Sequence, residues 1–224
     1  MTSARKKVPI GRATEKRPGR AGGRRDTNRK ERSKALSDAA LALFLARGIE
    51  AVTIEDITSK AGVAKGSFYR YFDDKAALTQ DLFAPLAAEV QKIFHESSAR
   101  IRTARNKDEA LSSYTILGEG LAGILLSNAD VVLLYLQENK APAAGARAPA
   151  RKLAGLISEK AIAHTRHARE HGLLRPFPAE LSTLAVIGAT ERLLFGILTG
   201  ESVGELREIP GSLTSLILDG IRAP

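Results

Sequence analysis

Apolar residues early in the chain recur at intervals of three and four. Ala35, Leu36, Ala39, Ala40, Leu43 and Phe44 form one such stripe from about Asp26 until Gly48 interrupts it, which predicts a first helix. A second helix is predicted to open at Thr53. The run Thr53-Ile-Glu-Asp56 puts a hydroxyl acceptor at the N-cap and a carboxylate three residues later, a capping box with Asp in place of the usual Glu or Gln. This helix is short and reaches only Ala61, where Gly62 supplies a tight turn. A third short helix is predicted from about Ala64 to Phe72.

Beyond Asp73 and Asp74, Leu78, Leu82, Leu86, Val90 and Phe94 fall at every fourth position, which predicts a longer helix with Pro85 as a kink. Further helical runs are predicted over Tyr114–Leu126, Val131–Gln137, Leu153–His171, Ala179–Thr199 and Leu213–Ile221. The Ala-, Pro-, Gly- and Arg-rich stretch Ala141–Pro149 reads as a loop. Alternating strand patterns and internal repeats are both missing from the sequence, so the predicted fold class is all-α.

The segment from Thr53 to Lys75 therefore reads as two short helices joined by a glycine turn, the pattern of a helix-turn-helix. Ile57, Ala61, Val63, Phe68 and Phe72 are spaced to pack the two helices together, which leaves Lys65, Gly66, Ser67, Tyr69 and Arg70 facing outward. Such a helix fits the major groove of double-stranded DNA with its N-terminal residues at base edges. In this reading Gly66 and Ser67 allow close approach of the backbone, and Ser67 and Lys65 hydrogen-bond to bases. Tyr69, Arg70, Tyr71 and Lys75 reach flanking phosphates, with Lys75 as a phosphate clamp at the start of the next helix. Thr53 completes the candidate DNA-binding set.

The same segment resembles the signature of the TetR family. It carries a helix-capping Thr, an Ala-Gly-Val turn, a Gly-Ser-Phe-Tyr recognition helix, a Tyr-Phe pair and a Lys at the family's spacing. The resemblance is close over about residues 33 to 83. Two departures occur, Thr58 where Ala is usual and Ala64 where Ser often caps the recognition helix. The resemblance implies a homodimeric repressor that grips a palindromic operator and is released by a small-molecule effector bound in a C-terminal domain. It also implies that the last two long helices pair with those of a second subunit. The span Ala179–Thr199, apolar around most of its circumference, independently calls for burial on two sides. The expected organisation is a disordered basic arm over 1–24, a DNA-binding domain over 25–75, and a ligand-binding and dimerisation domain over 76–224.

Charge sharpens this picture. The formal net charge is +9, and residues 1 to 32 alone hold twelve Lys and Arg against three acids, so all of the excess sits there and the remainder is formally neutral. A basic arm on a neutral body suits a polyanion. The chain has no cysteine, which excludes disulfides, thiolate zinc sites and cysteine nucleophiles. Apolar runs such as Leu121–Leu126 fall short of a membrane span, and the basic start lacks the apolar stretch of a secretory signal. The expected location is the bacterial cytoplasm, on the nucleoid, without membrane attachment.

For the effector, Phe94, Tyr114, Glu119, Tyr135 and Gln137 are the candidate pocket residues. Glu119, between Gly118 and Gly120, is expected either to bond a ligand or to pair with Arg192 inside the core. His164, His167 and His171 lie on one helical face, and His167-Ala-Arg-Glu-His171 matches a zinc-peptidase pattern. A third protein ligand is lacking, so these histidines are read as solvated, His171 near a helix C-terminus whose dipole favours it. No metal, cofactor or enzymatic activity is expected. Two alternatives remain at this stage: a regulator of the same fold that answers to a protein partner or to no ligand, and an all-α metal-dependent enzyme.

Overall fold

Capping chemistry and apolar periodicity together divide the chain into helices. A computed structural model describes residues 24–202, together with Gly204, Glu208, Gly211, Ser212 and Ser215. Eight α-helices lie among the described residues: α1 Arg24–Arg47, α2 Ile54–Lys60, α3 Lys65–Phe68, α4 Lys75–Thr103, α5 Lys107–Ser127, α6 Ala129–Glu138, α7 Ala148–Glu170 and α8 Ala179–Leu198. The all-α expectation is met. Except for Arg24, where α1 begins, the basic arm lies outside the described residues, and so does nearly all of the predicted helix Leu213–Ile221.

Helix α1 stops at Gly48, whose φ of 77° is open to glycine at little steric cost. Gly62, at φ 66°, makes the corresponding turn between α2 and α3. The third helix is shorter than predicted. After Phe68 the chain closes i−3 hydrogen bonds, Arg70 N to Ser67 O and Tyr71 N to Phe68 O, and tightens into a turn. Two elements begin earlier than their apolar patterns. Helix α5 starts at Lys107 because the Asn106 side-chain oxygen Oδ1 accepts from Glu109 N at 2.8 Å. Helix α7 starts at Ala148 with Pro149 in its first turn, directly after a 3₁₀ turn over Gly145–Arg147, so half of the expected loop is helical.

One apolar core runs through both halves of the molecule. Leu36, Phe44, Ile49, Val52, Ile57, Phe68 and Leu78 are fully buried under the helix-turn-helix, and the same cluster continues through Phe83, Leu86, Val90, Phe94, Leu134 and Leu153. Helix α4 is the shared strut. It begins beneath α1 and then packs along α5 and α7. Pro85 lies inside α4 without ending it, and both Pro85 and Asp81, whose carbonyl loses its i+4 donor there, are on the exposed side. A second small cluster, Ile101, Ala168, Leu173 and Leu174, closes the far end.

Helix α8 packs on α7 and α6 but keeps a broad apolar face open, with Leu181 and Leu184 exposed. With a mean hydropathy of 1.5 over an 18-residue window, this 20-residue helix meets the length and composition of a membrane span, although charged and polar residues interrupt its apolar runs. The polar contacts of Glu191, described below, place the inner side of this helix against protein.

Candidate nucleic-acid interface and its junction with the helical domain

The capping box forms as expected. The Thr53 hydroxyl accepts from Asp56 N at 3.1 Å, and the Asp56 carboxylate accepts from Thr53 N at 2.9 Å. The Thr53 hydroxyl also donates to Asp56 Oδ2 at 2.9 Å, and Arg47 closes on the same oxygen at 3.2 Å. The backbone N–H of Thr53, with its hydroxyl and Arg47, holds the Asp56 carboxyl below its usual range. Thr53 is exposed, yet its hydroxyl is committed to fixing the start of α2. Ala64 leaves α3 without a side-chain cap.

Beyond that start, Lys65, Gly66, Tyr69 and Arg70 all face solvent, with Tyr69 55% exposed. Lys65 donates to Glu55 Oε2 at 3.0 Å, which raises its pKa, and the pair is solvated enough to exchange partners. Ser67 departs from the expectation. At 8% exposure it sits against the core beside Phe68, because the short α3 turns that side inward, so it is not part of the open face. Tyr71 is half-buried against the core.

Lys75 also differs from the expected clamp. Its ammonium donates to three carbonyls of the α1–α2 loop, Ile49 O at 2.7 Å, Glu50 O at 3.2 Å and Val52 O at 2.8 Å. An ammonium has three donors, so all are in use. In this arrangement Lys75 holds the loop that orients α2.

The other side of this loop is gripped from the helical domain by a residue that the sequence did not single out. Glu138, at the end of α6 and 4% exposed, accepts from Ile49 N at 2.8 Å through Oε1 and from Arg147 Nε at 2.7 Å through Oε2. A Cβ on Gly48 would lie 3.3 Å from Glu138 Oε1, so glycine leaves room for this approach as well as for the turn. Helix α6 makes a second, partly buried connection in the opposite direction. Glu191 of α8 accepts from the Tyr135 hydroxyl at 2.6 Å, from Asn139 Nδ2 at 2.9 Å and from Lys140 Nζ at 2.7 Å. One helix thus joins α8 to the loop beneath α2. The only sequence signal was the presence of acids within apolar helices.

The structure separates the five candidate pocket residues. Phe94 and Tyr114 lie together against α7, each ring packed on His164. Tyr135 is buried but its hydroxyl is taken by Glu191, and burial followed by that bond pushes its pKa up. Glu119 and Gln137 are exposed, which corrects their placement in a pocket, since both fall on the outer side of their helices. The expected Glu119–Arg192 pair does not form, and Arg192 bonds Glu201 at 2.7 Å. His164 is likewise not solvated. It is 3% exposed because α7 turns it toward α4 and α5, and burial, with the adjacent His167, lowers its pKa to about 4. Among the described residues no three His, Cys, Asp or Glu groups are arranged to hold a metal ion.

A short α2, a glycine turn, and a short α3 with an open polar face on a shared core define a helix-turn-helix DNA-binding module. Residues 36–82 match the sequence model of the bacterial regulatory proteins of the tetR family. Among curated relatives it is 29% identical over 116 residues to the HTH-type transcriptional repressor KstR2 of Rhodococcus jostii, covering 50% of this chain and 57% of the relative. It is 44% identical over 64 residues to the HTH-type transcriptional repressor KstR of the same organism, 29% of each chain. The chain thus spans 57% of the length of KstR2 and 29% of that of KstR. In fold, the ketosteroid transcriptional regulator KstR2 of Mycobacterium tuberculosis is similar over 86% of this chain and 96% of its own, with a TM-score of 0.61 at 19% identity.

Proposed function

We propose that the chain is a transcriptional repressor that binds a palindromic operator as a homodimer and is released when a small molecule enters the helical domain. The observation that carries this reading is the junction at Glu138. A DNA-reading module joined to a larger helical domain only by a flexible linker could not be switched by it, whereas here a buried carboxylate of α6 and the continuous α4 fix the two together. The repressor names of KstR2 and KstR support the sense of regulation. The open apolar face of α8 supports pairing with a second copy, and a cytoplasmic location on the chromosome follows from that role.

The test is selection of binding sites from random duplex DNA, followed by footprinting. Two major-groove helices on one face of the duplex require protected half-sites about one helical turn apart or slightly more. Protection of a single, non-repeated half-site would overturn the dimeric reading.

A further inference from the structure

Two neighbouring aromatic rings in the helical domain each carry a buried polar atom without a hydrogen-bond partner, Tyr114 Oη on α5 and His164 Nε2 on α7. The rings meet edge-on with centroids 5.2 Å apart, and Phe94 of α4 lies 6.0 Å from the same histidine. The other ring nitrogen, Nδ1, is 3.1 Å from the Ser98 hydroxyl. Ile101, Ala161 and Ala168 are buried on the helices that carry this group. His167 Nε2, one turn along α7, is also buried and unpaired. Native cores leave few polar atoms in this condition, so a group of them on facing helices marks a place where something else supplies the hydrogen bonds.

The geometry points to Tyr114 and His164, with Ser98 behind the imidazole, as the polar end of the effector site, taking an uncharged ligand that presents a hydroxyl or carbonyl oxygen on an otherwise apolar body. This rests on the reading of the chain as an effector-released regulator. The Tyr114 O–H donates to the ligand oxygen. When Ser98 donates to Nδ1, Nε2 carries the proton and is a second donor, and when Nδ1 donates to Ser98, Nε2 accepts from a ligand hydroxyl. Burial keeps both rings neutral. A carboxylate or ammonium entering here would lose its hydration without gaining a counter-charge. On α7, Arg166 pairs with Glu180, and Glu170 Oε2 lies 3.4 Å from His167 Nδ1.

Three probes on one skeleton test the assignment: 2-naphthol, 2-methylnaphthalene and 2-naphthoate, titrated into the full chain and followed by probe fluorescence. The chain has no tryptophan to interfere. Saturable binding of 2-naphthol is expected, weakened about tenfold in Tyr114→Phe and in His164→Phe, the loss typical of one hydrogen bond. Binding of 2-methylnaphthalene should change less than about twofold in either variant, and 2-naphthoate should bind the wild type at least about tenfold more weakly than 2-naphthol. Tyr114→Phe keeps the ring, and a thermal melt checks its fold. Equal 2-naphthol affinity in wild type and Tyr114→Phe, tighter binding of 2-naphthoate, or no saturable binding of 2-naphthol would each overturn the proposal. Retention of a palindromic duplex by the wild type, measured in parallel, separates the two readings. DNA binding without naphthol binding sinks this site alone, and naphthol binding without DNA binding sinks the regulator.

Discussion

Tyr69 stands out from the end of α3 with more than half of its surface in water, while its neighbour Phe68 is wholly buried and meets it edge-on at 5.5 Å. Removing the exposed ring leaves the core untouched. Tyr69→Ala is therefore expected to weaken operator binding by about 1–3 kcal/mol, roughly tenfold to a hundredfold, with little change in melting temperature. A band-shift titration beside a thermal melt checks both parts. His164 is the opposite case, a residue whose effect is on stability. Its folded pKa of about 4 lies below the ordinary 6.5, so the unfolded chain takes up the proton first and stability falls as pH drops through that window. From pH 7.5 to 5 this group should cost about 2 kcal/mol, and His164→Gln should lose that part of the pH dependence in urea unfolding. The sequence placed His164 on the correct helix but not on the correct side. Its neighbours in sequence are mixed, and only packing against Phe94 and Tyr114 decides the matter.

Elements whose ends depend on local chemistry were legible in the sequence. The Thr53–Asp56 box, the Gly48 and Gly62 turns and the alternation of buried Ile57 and Phe68 are set by residues a few positions apart. The start of α5 was not legible because its first turns are polar and carry only the Asn106 cap. The contacts of α6 were not legible. Glu138 finds Ile49, 89 residues away in the chain, and Glu191 finds Tyr135, 56 away, and no pattern within one helix names such partners. The same contacts predict how α6 behaves. Glu138→Ala leaves the Ile49 N–H and the Arg147 guanidinium without their acceptor and is expected to cost about 2–4 kcal/mol of stability in urea unfolding. Glu138→Gln keeps the acceptor for Ile49, weakens the Arg147 contact, and should fold. In a band shift with added effector, its operator complex should need more effector for release than the wild type does, because the path from the helical domain is loosened. Wild-type release by this variant would show that α6 is not the path.

At the scale of the whole molecule, α8 presents Leu181 and Leu184 to solvent on a helix whose other side is fixed to α6 through Glu191. An apolar face of this kind fits a second copy of the chain. Pairing there would carry two DNA-reading modules at a spacing fixed by the rigid α4 and α6 connections. An effector that binds one spacing more tightly than the other shifts the population, and a hundredfold loss of operator affinity requires about 2.7 kcal/mol of that preference. Operator must then weaken the effector by the same factor. The fixed spacing is the central claim. It is tested most directly by measuring, through fluorescence anisotropy, the affinity for the selected operator and for the same operator with about 5 base pairs, half a helical turn, inserted between its half-sites. The insertion rotates one half-site to the opposite face of the duplex and is expected to lower affinity by about a hundredfold. Equal affinity for the two duplexes would contradict a dimer that reads both half-sites with fixed recognition helices.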